Sequence, residues 1–316
     1  VMSNVQTDAG SLAGVGQVID LAGMISGGLE ALRARPIVSV VTSWMVSPLH
    51  LDTGVTDILI EWCSQGLPVV LSSAPMAGST SPVTLAGTLV QLNAEQLSGI
   101  VLTQLVRPGT PVLAGYIPGV VDMRSGGYLG GAIVFGIMQA AAAQLAHHYQ
   151  VPIYGSGGMT DSKLPDAQAV YEKMATLLLA AMGGCNYIHH AIGMVTNMNA
   201  ASLEQAVMDD EVAGMVLRVL RGVEITEETL AVEAIARVGP GGHYLMDDHT
   251  LQFMRSELFQ PSLADRQNRA NWEAAGSQDA RSRARARVEK LLRTHEPLEL
   301  PAAVDKAIRS RFHIGL

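Results

Sequence analysis

The sequence is poor in cysteine, in aromatic residues and in charge. Its 316 residues include only two cysteines, Cys63 and Cys185, which are far apart and offer neither a disulfide framework nor clustered metal ligands. No apolar run reaches the roughly 18 residues that indicate a membrane span. We therefore expect a soluble protein of the reducing cytoplasm that does not associate with membranes.

Basic residues are scarce as well, and the formal net charge is −8. This balance counts against a nucleic-acid-binding protein, which needs a positive surface. One basic run, at residues 281–293, stands out near the end of the sequence. We interpret it as a solvated helix or a subunit contact, and we expect a homo-oligomer.

What the sequence has in quantity is apolar residues, at 48%. Together with the low charge, this indicates strands that are buried on both faces, as in a parallel sheet wrapped by helices. Apolar runs rich in β-branched residues recur roughly every 30 to 45 residues, which is the spacing of a strand plus a crossover helix. The runs are residues 37–42, 68–73, 111–116, 152–156 and 185–190, and residues 1–6 form a possible sixth.

Six such units are two short of a TIM-type (β/α)8 barrel, which is the fold we predict. A doubly wound sheet is the alternative, but the GxGxxG fingerprint after the first strand is absent. Because Val1 already lies inside a strand pattern, we expect the later part of a longer barrel. Residues 1–200 would carry the barrel units, and residues 201–316 would form a helical extension packed on them.

Capping patterns predict where the connecting helices begin. Ser81 followed by Pro82 is typical of a helix start, and Ser202 and Thr226 mark two later starts. The helix after Pro165 is predicted to bury one face, which includes Val170, Tyr171, Met174 and Leu177.

Residues 151–163, VPIYGSGGMTDSK, predict a strand that delivers its carboxyl end into a site. Gly157 and Gly158 would let the backbone approach a ligand closely. Asp161 and Lys163 follow on the loop, where α/β folds place their chemistry. Lys163 could form a Schiff base with a carbonyl substrate, or it could simply be paired with Asp161.

Three scarce aromatic residues, Trp44, Tyr116 and Tyr154, lie at predicted strand ends. Aromatic faces attract quaternary ammonium groups, so these residues could form a cage, although packing explains each of them equally well. Arg124 could bind a substrate carboxylate with its two-pronged guanidinium or pair with Asp122.

His189 and His190 follow each other at the end of the last predicted strand. Side chains alternate along a strand, so we expect only one of them to face the pocket. The histidines lack the HExxH or CxxC spacing of a zinc site, and we expect no metal.

Several segments, in order along nearly the whole chain, resemble the trimethylamine methyltransferase family. They are residues 81–112, DMRSGG at 122–127, GGMTDSKLPDAQAVYEK at 157–173, SLEQAVMDDE at 202–211 and VGPGGHYLMDDHT at 238–250. The resemblance implies a (β/α)8 barrel that transfers a methyl group from a methylated amine to the cobalt of a separate corrinoid protein. It implies no tightly bound cofactor or metal in this chain. Family members also extend further at the N-terminus.

One departure from the family narrows the substrate. Archaeal trimethylamine enzymes carry pyrrolysine, whereas this sequence has small residues, such as Gly157 and Gly158, in the region that we align with it. A quaternary amine already carries the positive charge that makes nitrogen a leaving group. The chain therefore resembles the branch that demethylates glycine betaine or related amines.

On this interpretation, Trp44, Tyr116 and Tyr154 would surround the cation. Arg124, Lys163 and His189 or His190 would meet a carboxylate. The alternatives are a Schiff-base lyase that uses Lys163 and a non-catalytic betaine-binding protein.

Overall fold

The computed structural model describes residues 3–5 and 12–314, and it is a mixed α/β structure with short parallel strands. The six main strands fall on the six predicted runs. They are β1 (Ser3–Val5), β2 (Val38–Thr42), β3 (Val69–Ser73), β4 (Val112–Tyr116), β5 (Tyr154–Ser156) and β6 (Tyr187–His189).

The strands stand side by side in chain order. Parallel pairing joins β1 to β2, β2 to β3 and β3 to β4, and it joins β5 to β6. A single parallel bridge between Ala114 and Ile153 links the two groups. A doubly wound sheet reverses its strand order at a switch point, and the described strands show no such reversal. β6 is not paired with β1 in the described part of the chain, so the structure there does not show a closed barrel.

Between and directly after the described strands lie seven helices. They are α1 (Leu12–Ser26), α2 (Leu29–Ala34), α3 (Thr53–Ser64), α4 (Leu85–Val106), α5 (Ile133–His148), α6 (Ala167–Met182) and α7 (Leu203–Arg221). Among the described residues, three pairs of two-residue strands lie in the loops. They join Met45–Val46 to His50–Leu51, Met76–Ala77 to Gly119–Val120, and Met194–Val195 to Ala200–Ala201.

Helix starts follow their capping residues in most cases. Ser202 caps α7 by accepting a hydrogen bond from the Gln205 N–H, as predicted. The prediction of a helix start at Ser81–Pro82 is wrong, because α4 begins at Leu85. The hydroxyl of Thr88 donates to the Pro82 carbonyl at 2.7 Å and lies 2.9 Å from the Ser81 hydroxyl, which holds these residues in a turn before the helix.

The described residues after α7 form further helices. α7 connects them to the strand-bearing part by packing against both α6 and the later helix α12 (Ala280–Thr294). Thr226 caps the first of these helices, as predicted. The basic run forms α12. These helices are α8 (Glu227–Leu230), α9 (Val232–Val238), α10 (Asp248–Glu257), α11 (Arg269–Ala274), α12 (Ala280–Thr294) and α13 (Ala302–Arg311).

Strand β4 separates two apolar clusters, since alternate side chains point to opposite faces. On the helix-covered side of β4, Ala114 and Tyr116 pack with Leu92 of α4 and Ala142 of α5. On the other side, a small inner cluster packs together residues from four different strands or strand ends. It consists of Val41, Val70, Leu113, Ile117 and Tyr154. This inner face is the floor of the site described next.

Candidate functional site

A cavity of about 550 Å³ opens at the carboxyl ends of β2 to β6. It lies above the inner cluster, where parallel α/β folds place their ligands. None of its lining side chains is an acid, a lysine or an arginine. The lining residues are Val41, Ser43, Ser72, Ala74, Met76, Ile117, Gly119, Tyr128, Tyr154, His189, His190 and Met198.

A row of four rings crosses the β5 and β6 side of this cavity. The Tyr154 ring stacks on Tyr187, with centroids 5.1 Å apart and planes within 8°. The Tyr154 ring also meets His189 at 4.2 Å, and His189 meets His190 at 3.5 Å. We call these four residues the ring wall. Tyr154, His189 and His190 line the cavity, whereas Tyr187 is not among the lining residues. The Tyr154–Tyr187 distance lies in the range in which aromatic pairs are favourable.

Both histidines line the cavity, so the prediction that only one would face it is wrong. Strand alternation stops at His189, the last residue of β6. His190 adopts a left-handed backbone with φ 67°, which turns its side chain back toward the same cavity. This conformation is uncommon outside glycine. It places the Nδ1 atom of His190 3.1 Å from the Ser156 hydroxyl.

The two histidines are neutral at ordinary pH. Burial lowers the pKa of His189 to about 2, with a further contribution from His190. Burial lowers the pKa of His190 to about 4, and the charge of Lys173 adds to this effect. Burial also raises the pKa of Tyr128 well above its usual range. The whole lining is therefore uncharged near neutrality.

Asp161 lies beside the cavity and organises a neighbouring turn. Its Oδ1 accepts hydrogen bonds from the N–H groups of Gly130 and Gly131 at 2.9 and 3.2 Å. Burial raises the pKa of this carboxyl; these N–H bonds oppose that effect, and the nearby Glu172 adds to it. Asp161 thus holds the turn that follows Tyr128, and it is not among the lining residues.

Lys163 and Arg124 are both exposed and lie outside the lining of the cavity. The Lys163 ammonium donates to the backbone carbonyl of Asp161 at 2.8 Å, so it is paired with that residue through the main chain rather than through the carboxylate. Arg124 lies in the loop at 122–127, where Asp122 accepts a hydrogen bond from its backbone N–H. Neither residue is placed to hold a ligand inside the cavity.

Trp44 and Tyr116 are fully buried and pack under the helices. The Tyr116 hydroxyl donates to Asn93 of α4 at 3.0 Å, and burial raises the pKa of this phenol to about 12. Trp44 packs against α4 so closely that a Cβ atom on Gly99 would lie 2.3 Å from its ring. Of the three aromatic residues predicted for a cage, the structure brings only Tyr154 to the cavity.

Gly157 and Gly158 are required by close packing. A Cβ atom on Gly157 would lie 3.1 Å from the Cα atom of Leu177 in α6, and one on Gly158 would lie 2.8 Å from the Cα atom of Ala191. Gly158 also has φ +68°, which favours glycine. A side chain at either position would point into neighbouring backbone rather than into the cavity.

A buried ion pair behind the ring wall was not predicted from the sequence. Lys173 of α6 and Asp209 of α7 are each 1% exposed, and Nζ lies 3.1 Å from Oδ2. Burial lowers the pKa of Lys173 and raises that of Asp209, while each charge opposes the effect on its partner. The sequence feature that could have predicted the burial of Lys173 is its spacing of four residues from Ala169 and from Leu177, both of which are buried on α6.

Ser43, Ser72, Tyr128 and Met198 also line the cavity and were missed. Ser72 lies two residues after Val70 of the inner cluster, so period-two alternation along β3 could have indicated it. Tyr128 and Met198 come from loops, and no local pattern predicts where a loop side chain will point.

The described part of the chain contains no group of three or more His, Cys, Asp or Glu side chains that could hold a metal ion. None of the helices described is both long and apolar enough to cross a membrane.

The fold and this uncharged cavity belong to a chain of the trimethylamine methyltransferase family. The sequence profile of that family, described as "Trimethylamine methyltransferase (MTTB)", matches residues 5–313. The chain is a member of the family, as its motifs predict.

Relatives with assigned activities differ in their methyl donor. A glycine betaine methyltransferase of Desulfitobacterium hafniense (strain Y51) is 38% identical over 293 residues, covering 92% of this chain and 60% of the relative. A trimethylamine methyltransferase MttB of Desulfitobacterium hafniense (strain DSM 10664 / DCB-2) is 38% identical, covering 93% and 59%. The trimethylamine methyltransferase MttB of Methanosarcina barkeri (strain Fusaro / DSM 804) is 39% identical, covering 89% and 56%. The chain thus spans less than two thirds of the length of these relatives.

Proposed function

We propose that this chain carries the amine site of a methyltransferase that moves a methyl group from a quaternary amine to the Co(I) of a separate corrinoid protein. The observation that carries the proposal is the uncharged cavity beside the ring wall. Family membership supports methyl transfer from a methylated amine. We also propose that β1 to β6 are consecutive strands of a TIM-type barrel, because they stand in chain order and are all parallel.

The lining suits a substrate that brings its own positive charge. The face of an aromatic ring attracts an ammonium group, most strongly where water is excluded, and Tyr154 and Tyr128 provide such rings. Neutral histidines do not repel the cation. The hydroxyls of Ser43 and Ser72 can donate to a carboxylate on the opposite side of the cavity.

In the transfer, the bond between the methyl carbon and nitrogen breaks, and its electron pair stays on nitrogen, so the amine leaves neutral. The electron pair of Co(I) forms the new bond to the methyl carbon. No proton has to move, which fits a lining without acids or lysines. The protein contributes position and exclusion of water.

The test supplies the protein with a reduced corrinoid protein and either glycine betaine or trimethylamine. We expect methyl-cobalt absorbance with glycine betaine only. Equal turnover of trimethylamine would contradict the quaternary-amine assignment. Tight binding of glycine betaine without methyl transfer to any corrinoid protein would instead favour a non-catalytic binding protein.

A matched pair of tyrosine variants tests the cavity itself. Tyr154→Leu should weaken glycine betaine binding about thirtyfold, the magnitude of a desolvated cation–π contact, whereas Tyr116→Phe should leave it unchanged. Equal effects of the two substitutions on the dissociation constant, measured by calorimetry, would show that Tyr154 does not bind the ligand. The lyase alternative predicts a borohydride-trapped adduct on Lys163, which the exposed position of that residue does not support.

A further inference from the structure

The buried pair of Lys173 and Asp209 joins the loops that follow β5 and β6, the two strands that carry Tyr154, Tyr187 and His189 of the ring wall. The Lys173 ammonium donates to the carbonyl of Gly158, in the loop after β5, and to that of Met194, in the loop after β6, the latter at 3.1 Å. The Oδ2 atom of Asp209 accepts from the Gly193 N–H at 2.7 Å, and Oδ1 accepts from Gln205 at 2.8 Å. The ammonium therefore has an acceptor for each of its three donors, and both oxygens of the carboxylate are hydrogen-bonded.

These contacts surround the unusual turn at His190. Gly158 lies two residues after Ser156, whose hydroxyl meets the His190 ring, and Gly193 lies three residues beyond His190. The two loops also touch directly at Gly158 and Ala191. The left-handed conformation of His190 costs free energy and persists only where neighbouring structure imposes it.

We propose that Lys173 and Asp209 are positioning residues for amine binding: they tie the loops after β5 and β6 together, hold the His190 ring in the cavity wall and keep a cation near it. The inference rests on the proposed function, since a neutral wall matters only for a cationic ligand. Neither residue lines the cavity, so both act through His190.

The charged and titratable groups around His190 define the expected electrostatics. The ring of His189 contacts the His190 ring, and Tyr154 of β5 contacts His189 in turn. The Ser156 hydroxyl of β5 lies within hydrogen-bond distance of His190. Lys173 of α6 and its partner Asp209 of α7 are the nearby charged groups. Lys173 disfavours a proton on His190. Removing Lys173 takes away that repulsion and leaves Asp209 as an unpaired negative charge. Removing the charge of Asp209 leaves Lys173 in place.

The experiment measures His190 titration by NMR on protein labelled at histidine, with His190→Gln used to assign the signal. In Lys173→Met the proton affinity of His190 should rise at least about tenfold over wild type. In Asp209→Asn it should not rise, because that variant keeps Lys173 and its bonds to the Gly158 and Met194 carbonyls. An unchanged titration in Lys173→Met, or equal rises in both variants, would overturn the proposal.

Binding of tetramethylammonium at pH 5 and pH 8 gives the second measurement. Wild type should bind nearly equally at both pH values, whereas Lys173→Met should bind about twofold more weakly at pH 5 than at pH 8, because a tenfold rise in proton affinity leaves half of the His190 rings protonated at pH 5. Equal binding by Lys173→Met at the two pH values would contradict the proposal. If the wild-type protein binds neither tetramethylammonium nor glycine betaine, the proposed function is wrong. The NMR titration would still decide the role of Lys173.

A double variant covers the case in which Lys173→Met does not fold. Apolar replacement of both partners of a buried ion pair is often tolerated, so Lys173→Met combined with Asp209→Leu should fold. It lacks the lysine charge and should therefore also show an increased proton affinity of His190. An unchanged titration in this double variant counts against the proposal.

Discussion

Buried charged groups support both sides of the cavity, but one side uses an ion pair and the other uses hydrogen bonds from neutral groups. The ring wall is backed by a lysine and an aspartate that neutralise each other. On the side of β2 and β3, Glu95 of α4 is fully buried and accepts hydrogen bonds from four neutral donors. They are the hydroxyls of Ser47 and Ser73, the N–H of Leu49 and the amide of Gln91.

The difference shows that a buried carboxylate does not need a cation if enough donors converge on it. Glu95 fixes the loop between Met45–Val46 and His50–Leu51 without placing a positive charge near the cavity. The pair on the other side does place a positive charge close enough to His190 to lower its pKa further. The two supports should therefore respond differently when their charges are removed.

The largest effect should follow from breaking the ion pair on one side only. Asp209→Leu leaves the Lys173 ammonium buried without its counterion, which typically destabilises a protein by about 3–5 kcal/mol. Adding Lys173→Met should recover most of that loss. Urea denaturation of the three proteins measures both quantities. A single variant as stable as wild type would mean that the pair is not ionic in the folded protein.

Glu95→Gln should cost somewhat less. The new amide nitrogen can face the hydroxyls of Ser47 and Ser73, which can turn to accept from it, while the amide oxygen keeps the two N–H donors. The charge-assisted hydrogen bonds become neutral ones, which should cost about 1–3 kcal/mol. The control is Glu61→Gln on the exposed part of α3, which should stay within about 0.5 kcal/mol of wild type. Equal stabilities of the two variants would remove Glu95 as a support.

Acid should weaken the ring wall by an intermediate amount. The pKa of His190 is lower in the folded protein, at about 4, than its ordinary value of 6.5. The unfolded chain therefore binds more protons between these values, and stability is lost as pH falls below 6.5. His190→Gln should remove about 2 kcal/mol of the stability difference between pH 7 and pH 5. If the variant and wild type show the same stability difference between pH 7 and pH 5, folding does not lower the pKa of His190.

The smallest effect should come from the buried tyrosine on the other face of the strands. Tyr116→Phe removes one hydrogen bond to Asn93 and should cost about 1 kcal/mol. Thermal denaturation would show this as a modest decrease in Tm. A loss of several kcal/mol would mean that the hydroxyl supports more than Asn93.

The positions of the strands followed directly from the sequence, because β-branched runs between glycine and proline residues leave few alternatives. Which face a strand-end residue occupies did not follow. Tyr116 and Tyr154 look alike in the sequence, yet β4 ends with Tyr116 under helices α4 and α5, while β5 starts with Tyr154 on the inner face. A shift of one residue in register decides between the two outcomes.

The predicted face of α6 shows a related limit. Tyr171 was expected to be buried but is 62% exposed, while Lys173 is buried. α6 contacts both α5 and α7, so its small residues and one paired lysine face inward. Pairing between residues on different helices is a property of the fold, and hydropathy alone assigns such a lysine to the surface. The use of both histidines was missed for a similar reason, since the left-handed turn at His190 interrupts the alternation.

The Trp44 indole packs directly against Gly99, so the residue type at one of these positions limits the residue type at the other. Any side chain added at position 99 would collide with the indole ring, so it requires a smaller residue at position 44. Across homologous proteins the two positions should therefore vary together, with large-plus-small combinations exchanged as a set.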